Sequence, residues 1–484
     1  MKLVEDIQQK SRWSVALAVS LLAAVLGLAA NNSDIPNVSS SPISYSSEVV
    51  TPILSARRIP ETIQADFAAD DIAVDIKSFL DSSPESTCLA VVRDETVILE
   101  QRNLELGLIP ASNQKIITTY AALNILGPDY KFITNVYSSE PIENGVVENL
   151  YLQGGGDPFL STSAWWDQYD LTESRFNTSL EELADRTVNS GIKKISGSIV
   201  GDETRFDMVR QGPWDQRLID QNQSGPLSAL SVNQGYSIWA ENLSLVSREV
   251  TNAPAVNSVN VFVELLKERG VEFDGEIVVA ETPEDLTLIA SISSETLDKV
   301  ITHINSYSSN FGAEMLAKEI GYVSKGVGST SSGAEAIFEF IQEKNFPTES
   351  VIISDGSGLS ERNRLTCGLL INILGSQGPE SVLANSFAIG GVRGSLEDDF
   401  KNSLAEGLVY AKTGTLRSVV ALSGYVQSSV EEEIDITFTY ISNEPAVSGR
   451  TIELQETLVT DFASYPEGPQ LSELSPKEVL KVEE

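Results

Sequence analysis

Pro110-Ala-Ser-Asn-Gln-Lys115-Ile-Ile-Thr-Thr-Tyr-Ala-Ala-Leu-Asn-Ile-Leu-Gly127 reads as one helix, and the rest of the chain can be ordered around it. Ile116, Tyr120 and Leu123 recur at i, i+4 and i+7, with Ile117, Ala121 and Asn124 on the neighbouring row. Gly127 followed by Pro128 stops the pattern. Ser112 falls in the first turn, where unbonded backbone N–H groups and the positive dipole end favour negative charge. Lys115 follows three residues later, so its amine meets the Ser112 hydroxyl on one face. A serine beside a lysine at a helix start is a nucleophile with its own base. Taken alone, the same pair is an N-cap serine and a solvated lysine. Ser190-Gly-Ile-Lys193 repeats the spacing with nothing else to recommend it. The pair gains meaning only from its company.

The chain has 484 residues, 41% of them hydrophobic, enough for two or three compact units with real cores. Its 69 acidic against 33 basic residues give a formal net charge of −36. That balance argues against a nucleic-acid binder, because phosphate is repelled, and against adhesion to anionic lipid. His303 is the sole histidine, so a multi-histidine metal site is excluded, as is any histidine-dependent triad that does not use it. Cys88 and Cys367 are too few for a disulfide framework. Cys88 sits in an apolar run and reads as a buried free thiol, with a single disulfide as the alternative. Lys2, Lys10 and Arg12 precede an uncharged run from Trp13 to Ala30. Residues 1–30 therefore read as a signal peptide, with Gly27-Leu-Ala29 as a passable cleavage site, or as an uncleaved signal anchor. Either exports the remainder to the periplasm or cell envelope, with membrane attachment confined to residues 13–30.

Residues 31–60 have the Ser/Pro-rich composition of a linker. Residues 61–130 open the main domain, with a short helix over Ile72–Leu80 and two strands around an Asp94-Glu95 turn. Residues 131–285 alternate short strand-like runs with loops and read as an inserted, mostly-β domain; continuation of one large sheet is the alternative. Residues 286–465 return to the main domain. Helical patterns cover Glu295–Tyr307, Asn310–Ile320 and Gly333–Lys344, followed by a polar loop, Ser354-Asp-Gly-Ser-Gly-Leu-Ser360. A strand over Leu408–Val426 is interrupted by Lys412-Thr-Gly414. In Ile434–Ile441, Ile436, Phe438 and Tyr440 alternate with Thr437 and Thr439, which predicts one buried face. Thr451–Tyr465 is a closing helix packed through Ile452, Val459 and Phe462, and residues 466–484 are a polar tail.

Lys412-Thr413-Gly414 lies in an apolar strand, where glycine marks close approach of a ligand's backbone. Alone it is an exposed strand lysine near a bulge. Ser308-Ser309-Asn310 lies between helical segments and alone is an N-cap; Ser231-Val-Asn233 and Ser258-Val-Asn260 show how common Ser-x-Asn is. Together and in order, Ser-x-x-Lys, Ser-x-Asn and Lys-Thr-Gly form the set shared by penicillin-binding proteins and serine β-lactamases. From roughly Glu61 to Tyr465 the chain resembles the low-molecular-mass class C penicillin-binding proteins, the D-Ala-D-Ala carboxypeptidase/endopeptidase family. Gly154-Gly-Gly-Asp-Pro158, Gly201-Asp-Glu-Thr-Arg-Phe206, Asn310-Phe-Gly-Ala-Glu314, Asp355-Gly-Ser-Gly-Leu-Ser360 and the long gap from Ser112 to Ser308 support the resemblance. It departs from the pattern at Ser309 and Arg393, where the family usually has Asp, and in a shorter insertion.

The resemblance implies an α/β fold of the α+β type: a penicillin-binding-protein/β-lactamase-like antiparallel sheet flanked by helices. It implies a serine D-Ala-D-Ala carboxypeptidase, and an endopeptidase as well, acting on peptidoglycan stem peptides, acylated by β-lactams and needing no metal or cofactor. Ser112 would be the nucleophile and Lys115 its base, with an amine lowered by burial and by Lys412. Ser308 would relay a proton to the leaving amine, and Asn310 would hold Lys115 and the substrate amide. Lys412 and Thr413 would bind the terminal carboxylate, Gly414 would let the strand approach, and Thr415 would share the oxyanion hole with Ser112. A serine β-lactamase or esterase, and a non-catalytic peptidoglycan-binding protein, are the competing readings.

Overall fold

Val419-Val-Ala-Leu-Ser-Gly-Tyr-Val-Gln427 is apolar at almost every position, the pattern of a strand buried on both faces. In the computed structural model, which describes residues 72–93, 97–167, 176–238, 249–429, 435–445, 447 and 449–465, it lies inside a six-stranded sheet. The export segment, the linker, the polar tail and the Asp94-Glu95 turn lie outside the described residues. Val409–Leu416 and Asp435–Asn443 flank the central strand, both antiparallel. Ala388–Ile389 pairs outside the first, and Thr87–Arg93 then Val97–Arg102 outside the second, again antiparallel.

Side chains alternate across this sheet. Val420, Leu422, Phe438 and Tyr440 share one core with Ile76 and Phe79 of the helix over 72–82 and with Leu458 and Phe462 of the closing helix Gly449–Ser464. Val419, Ala421, Tyr425 and Ile441 face the other way, into a helical core that includes Ile116, Ile117, Tyr120 and Leu316. The helix Gln114–Ile125 is the axis of that second core: every residue from Gln114 to Ala122 is buried. A helix enclosed on all sides must satisfy its polar side chains internally. Thr118 Oγ1 donates to the Gly356 carbonyl at 2.8 Å, and Thr119 Oγ1 to that of Lys115 at 2.7 Å.

Between these halves the chain builds a second, five-stranded sheet. Leu150–Gln153, Ile199–Asp202 and Ile277–Val279 run parallel. Ile133–Ser138 and Thr287–Ser293 complete it in antiparallel sense. Helices Leu180–Asn189 and Pro254–Glu268 share its apolar core through Leu183, Val259 and Phe262.

Five sequence expectations need correction. The helix begins at Gln114; Ser112 belongs to a separate 3-10 turn, Ala111–Asn113, whose Ala111 has φ +47°. Leu408–Val426 is two strands, Val409–Leu416 and Val419–Gln427, with Lys412-Thr-Gly414 paired throughout and the reversal at Arg417-Ser418. Thr437 and Thr439 are as buried as their apolar neighbours, because the helix Cys367–Gln377 covers their face. Ile452 is exposed, so the closing helix packs through Leu458, Val459 and Phe462. Cys88 is no free thiol: it is disulfide-bonded to Cys367, which the fold brings to a Cα–Cα distance of 5.9 Å.

Candidate active site

The 3-10 turn carrying Ser112 is pinned from two sides. A Cβ on Gly358 (φ +87°) would lie 1.8 Å from the Ala111 carbonyl oxygen, so only glycine lets the polar loop come this close. On the other side, a Cβ on Gly414 would meet the Pro110 oxygen at 2.9 Å and the Asn113 nitrogen at 3.2 Å. Asn113 Nδ2 also donates to Ser423 Oγ at 2.7 Å, tying the turn to the central strand. These contacts hold Ala111 in the left-handed region, which a non-glycine residue enters at a cost of about 1–2 kcal/mol. Ser308 is held there too, at φ +56°.

Lys115 Nζ donates to Ser112 Oγ at 2.9 Å, to Asn310 Oδ1 at 2.8 Å and to the Ser357 carbonyl at 2.7 Å. Asn310 Nδ2 donates to the Gln223 carbonyl at 2.8 Å. Ser112, Ser308, Asn310, Thr413 and Thr415 line one cleft of about 400 Å³. Lys412 is fully buried beside it, and its Nζ donates to the Thr413 carbonyl at 2.8 Å. Thr413 Oγ1 shares a hydrogen bond of 2.7 Å with Ser395 Oγ. All eight residues singled out in the sequence therefore meet at one place, although Ser190 and Lys193, with identical spacing, lie at the end of a surface helix.

Burial pushes the Lys115 amine down to about 7, against the pull of Asp355 and Glu314, whose negative charges raise it. Lys412 does not contribute as expected. Its own amine lies well below the usual range, first through burial and then through repulsion from Lys115. Both acids stand in stretches that carry the resemblance, but the sequence assigns neither a role. Glu314 Oε1 accepts from the N–H groups of Gly356 and Ser357, at 3.1 and 2.8 Å. Asp355 accepts from Gly358 N, Ser360 N, Asn363 Nδ2 and Trp214 Nε1. Buried in their own right, both carboxyls are raised, Glu314 to about 8. They fasten the polar loop whose Ser357 carbonyl orients Lys115. Arg217 and Arg417, also unmarked in the sequence reading, line the cleft and make it locally cationic in a strongly acidic chain.

His303 stands apart. It is packed among Phe159, Trp166, Phe176 and Tyr307, and burial alone lowers its imidazole to about 4.

The sheet, its two helical layers and a lysine-paired serine on a pinned turn define a fold of the penicillin-binding-protein and β-lactamase type. The chain belongs to the D-Ala-D-Ala carboxypeptidase 3 (S13) family, whose model matches residues 75–243 and 240–460. It is 26% identical over 445 residues to a D-alanyl-D-alanine carboxypeptidase from Actinomadura sp. (strain R39), covering 75% of this chain and 79% of that protein. It is 22% identical over 408 residues to the D-alanyl-D-alanine carboxypeptidase DacB of Haemophilus influenzae, covering 70% of this chain and 82% of that protein. The crystal structure of penicillin binding protein 4 from Haemophilus influenzae shares the fold, with a TM-score of 0.67 at 20% identity over 81% of this chain and 99% of that one.

Proposed function

We propose that this chain is an exported serine D-Ala-D-Ala carboxypeptidase, also able to cut peptide cross-links as an endopeptidase. The observation that carries the reading is the Lys115 amine, buried, near neutral pKa and 2.9 Å from Ser112 Oγ. In its neutral form Lys115 takes the Ser112 proton as Oγ attacks the carbonyl carbon between the two D-Ala residues. The N–H groups of Ser112 and Thr415 stabilise the oxyanion, each donor by about 3 kcal/mol. The C–N bond then breaks as Ser308 passes its proton to the departing amine and takes in exchange the proton held on Lys115, which is neutral again for the next step. Water attacks the ester, and its proton returns through Lys115 as Ser112 Oγ leaves. Asn310 holds both Lys115 and the substrate amide. Lys412 and Thr413 receive the terminal carboxylate; the arriving negative charge favours the protonated form of Lys412 that burial disfavours.

Residues 131–285 are proposed as an insertion between the nucleophile helix and its second motif. The disulfide supports export, because such bonds persist in oxidising compartments. Among the described residues no helix is long and apolar enough to cross a membrane. Residues 1–30, which lie outside those residues, are proposed from their sequence as a cleaved signal peptide delivering the chain to the periplasm or cell envelope; N-terminal sequencing of the mature protein that begins at Met1 or Lys2 would refute cleavage.

The test of the chemistry is incubation with a pentapeptide ending in D-Ala-D-Ala, a cross-linked dimer and labelled penicillin. D-Ala release, dimer cleavage and a stable label on the protein are expected, with Ser112→Ala abolishing all three. Rapid penicillin turnover would favour a β-lactamase, and inert wild-type protein a binding role alone. Labelling of the Ser112→Ala variant would remove Ser112 as nucleophile.

A further inference from the structure

A second cavity lies away from Ser112. It has a volume of about 780 Å³ and sits where the second sheet meets the helix Asn310–Lys325. Its floor is formed just beyond the carboxyl ends of the three parallel strands: Gln153 ends one, Asp202 ends the next, and Glu281 follows the third. Crevices in this position on parallel strands are where α/β sheets bind ligands. Nothing in the chemistry at Ser112 uses it.

The lining indicates the ligand. With Arg205 held by Glu319, Lys131 alone stands against Asp202 and Glu281, so the cavity disfavours an anionic ligand, unlike the cationic cleft. Arg205 Nε donates to Glu319 Oε2 at 2.8 Å, and Tyr130 donates to the same carboxylate, so these groups are already committed. The side-chain amide of Asn135 lines the cavity half-exposed, and that of Gln153, which donates to Asp202 Oδ2 at 3.4 Å, keeps its oxygen and a second N–H for a ligand. Tyr322, backed by Arg205 at 4.0 Å from its ring centre, adds a rigid amphipathic surface. Paired amides, a carboxylate and an aromatic ring suit hydroxyl and acetamide groups on rings with apolar C–H faces.

We infer that this cavity binds the glycan of the wall polymer, a chain of N-acetylated amino sugars, while its peptide enters the Ser112 cleft. The inference rests on the function proposed above. One helix joins the two places: Asn310 stands in the cleft and Tyr322 in the cavity. Twelve helical residues separate them by about 18 Å along the axis. Five extended peptide residues reach about 17 Å, the scale of a stem peptide between its glycan and its end.

The test uses the full chain and the N-acetylglucosamine tetramer as probe, followed by calorimetry. The Asn135→Ala/Gln153→Ala double variant and the cavity-filling Thr204→Trp variant should bind the tetramer at least about tenfold more weakly than wild type. Both should release D-Ala from intact peptidoglycan about tenfold more slowly, with kcat/KM on the free pentapeptide unchanged. The inference falls if wild type does not bind the tetramer, if both variants bind it or process the polymer as wild type does, or if the free pentapeptide suffers equally. Wild-type protein inert on the free pentapeptide would instead overturn the functional reading, while tetramer binding still judges the cavity.

Discussion

The protonation state of Lys115 should govern how fast Ser112 is acylated. With the amine at about 7, a one-proton titration leaves roughly a tenth of it neutral at ~pH 6 and about nine-tenths at ~pH 8. The second-order rate constant for labelling by penicillin should therefore climb about tenfold over that interval, with a slope of one and a midpoint near 7. Glu314→Gln sharpens the test. A glutamine oxygen can still accept from Gly356 and Ser357, so the polar loop keeps its anchor. What disappears is a carboxyl that burial raises to about 8, so its charge develops on the alkaline side of the profile; the midpoint should hold or move to lower pH, never higher. Stopped-flow or quenched labelling across ~pH 5–9, with thermal melting to confirm folding, reads both effects. A flat profile, a midpoint near the 10.5 of a solvated lysine, or an alkaline shift in Glu314→Gln would refute Lys115 as the base.

Other perturbations follow from the same geometry. Gly358→Ala places a Cβ 1.8 Å from the Ala111 oxygen, so the Ser112 turn must shift; acylation should fall by about 10²-fold while circular dichroism stays native. Replacing Cys88 and Cys367 together by serine opens a covalent loop spanning 279 positions and should cost about 2–5 kcal/mol in urea denaturation, an unchanged midpoint being the contrary result. His303 is neutral when buried, with its pKa lowered from 6.5 to about 4. The unfolded chain takes this proton first, so stability held above ~pH 6.5 is lost as pH falls towards ~4, by up to about 3 kcal/mol. His303→Phe should flatten that part of the stability–pH curve; an identical slope in both proteins would count against it.

Local pattern revealed the elements that local pattern determines. The helix after Ser112 showed its period and its Gly127 stop, and the strands showed their alternation. The turn before that helix did not show, because it is shaped by Gly358 and Gly414, which are distant in sequence and close in space. The reversal at Arg417-Ser418 lacks the Gly, Asn or Pro that usually announces a hairpin. Cys88 was misread because an apolar run reports burial but says nothing of a partner 279 positions away. The site residues were legible through the order of three motifs. Their electrostatics were not: Glu314 and Asp355 act on Lys115 only because the polar loop folds back over the helix.

The Cys88–Cys367 bridge also decides what happens if the backbone is broken. It turns the stretch between them into a closed ring that contains Ser112, Lys115, Ser308, Asn310 and the whole second sheet, while Lys412 stays outside. A single cut anywhere in that ring leaves one molecule, with the first two motifs still tethered to each other. Only reduction, or a second cut, frees a fragment. The long excursion between the nucleophile and its second motif is therefore covalently insured against a nick, whereas a break between Cys367 and Lys412 severs the third motif at once.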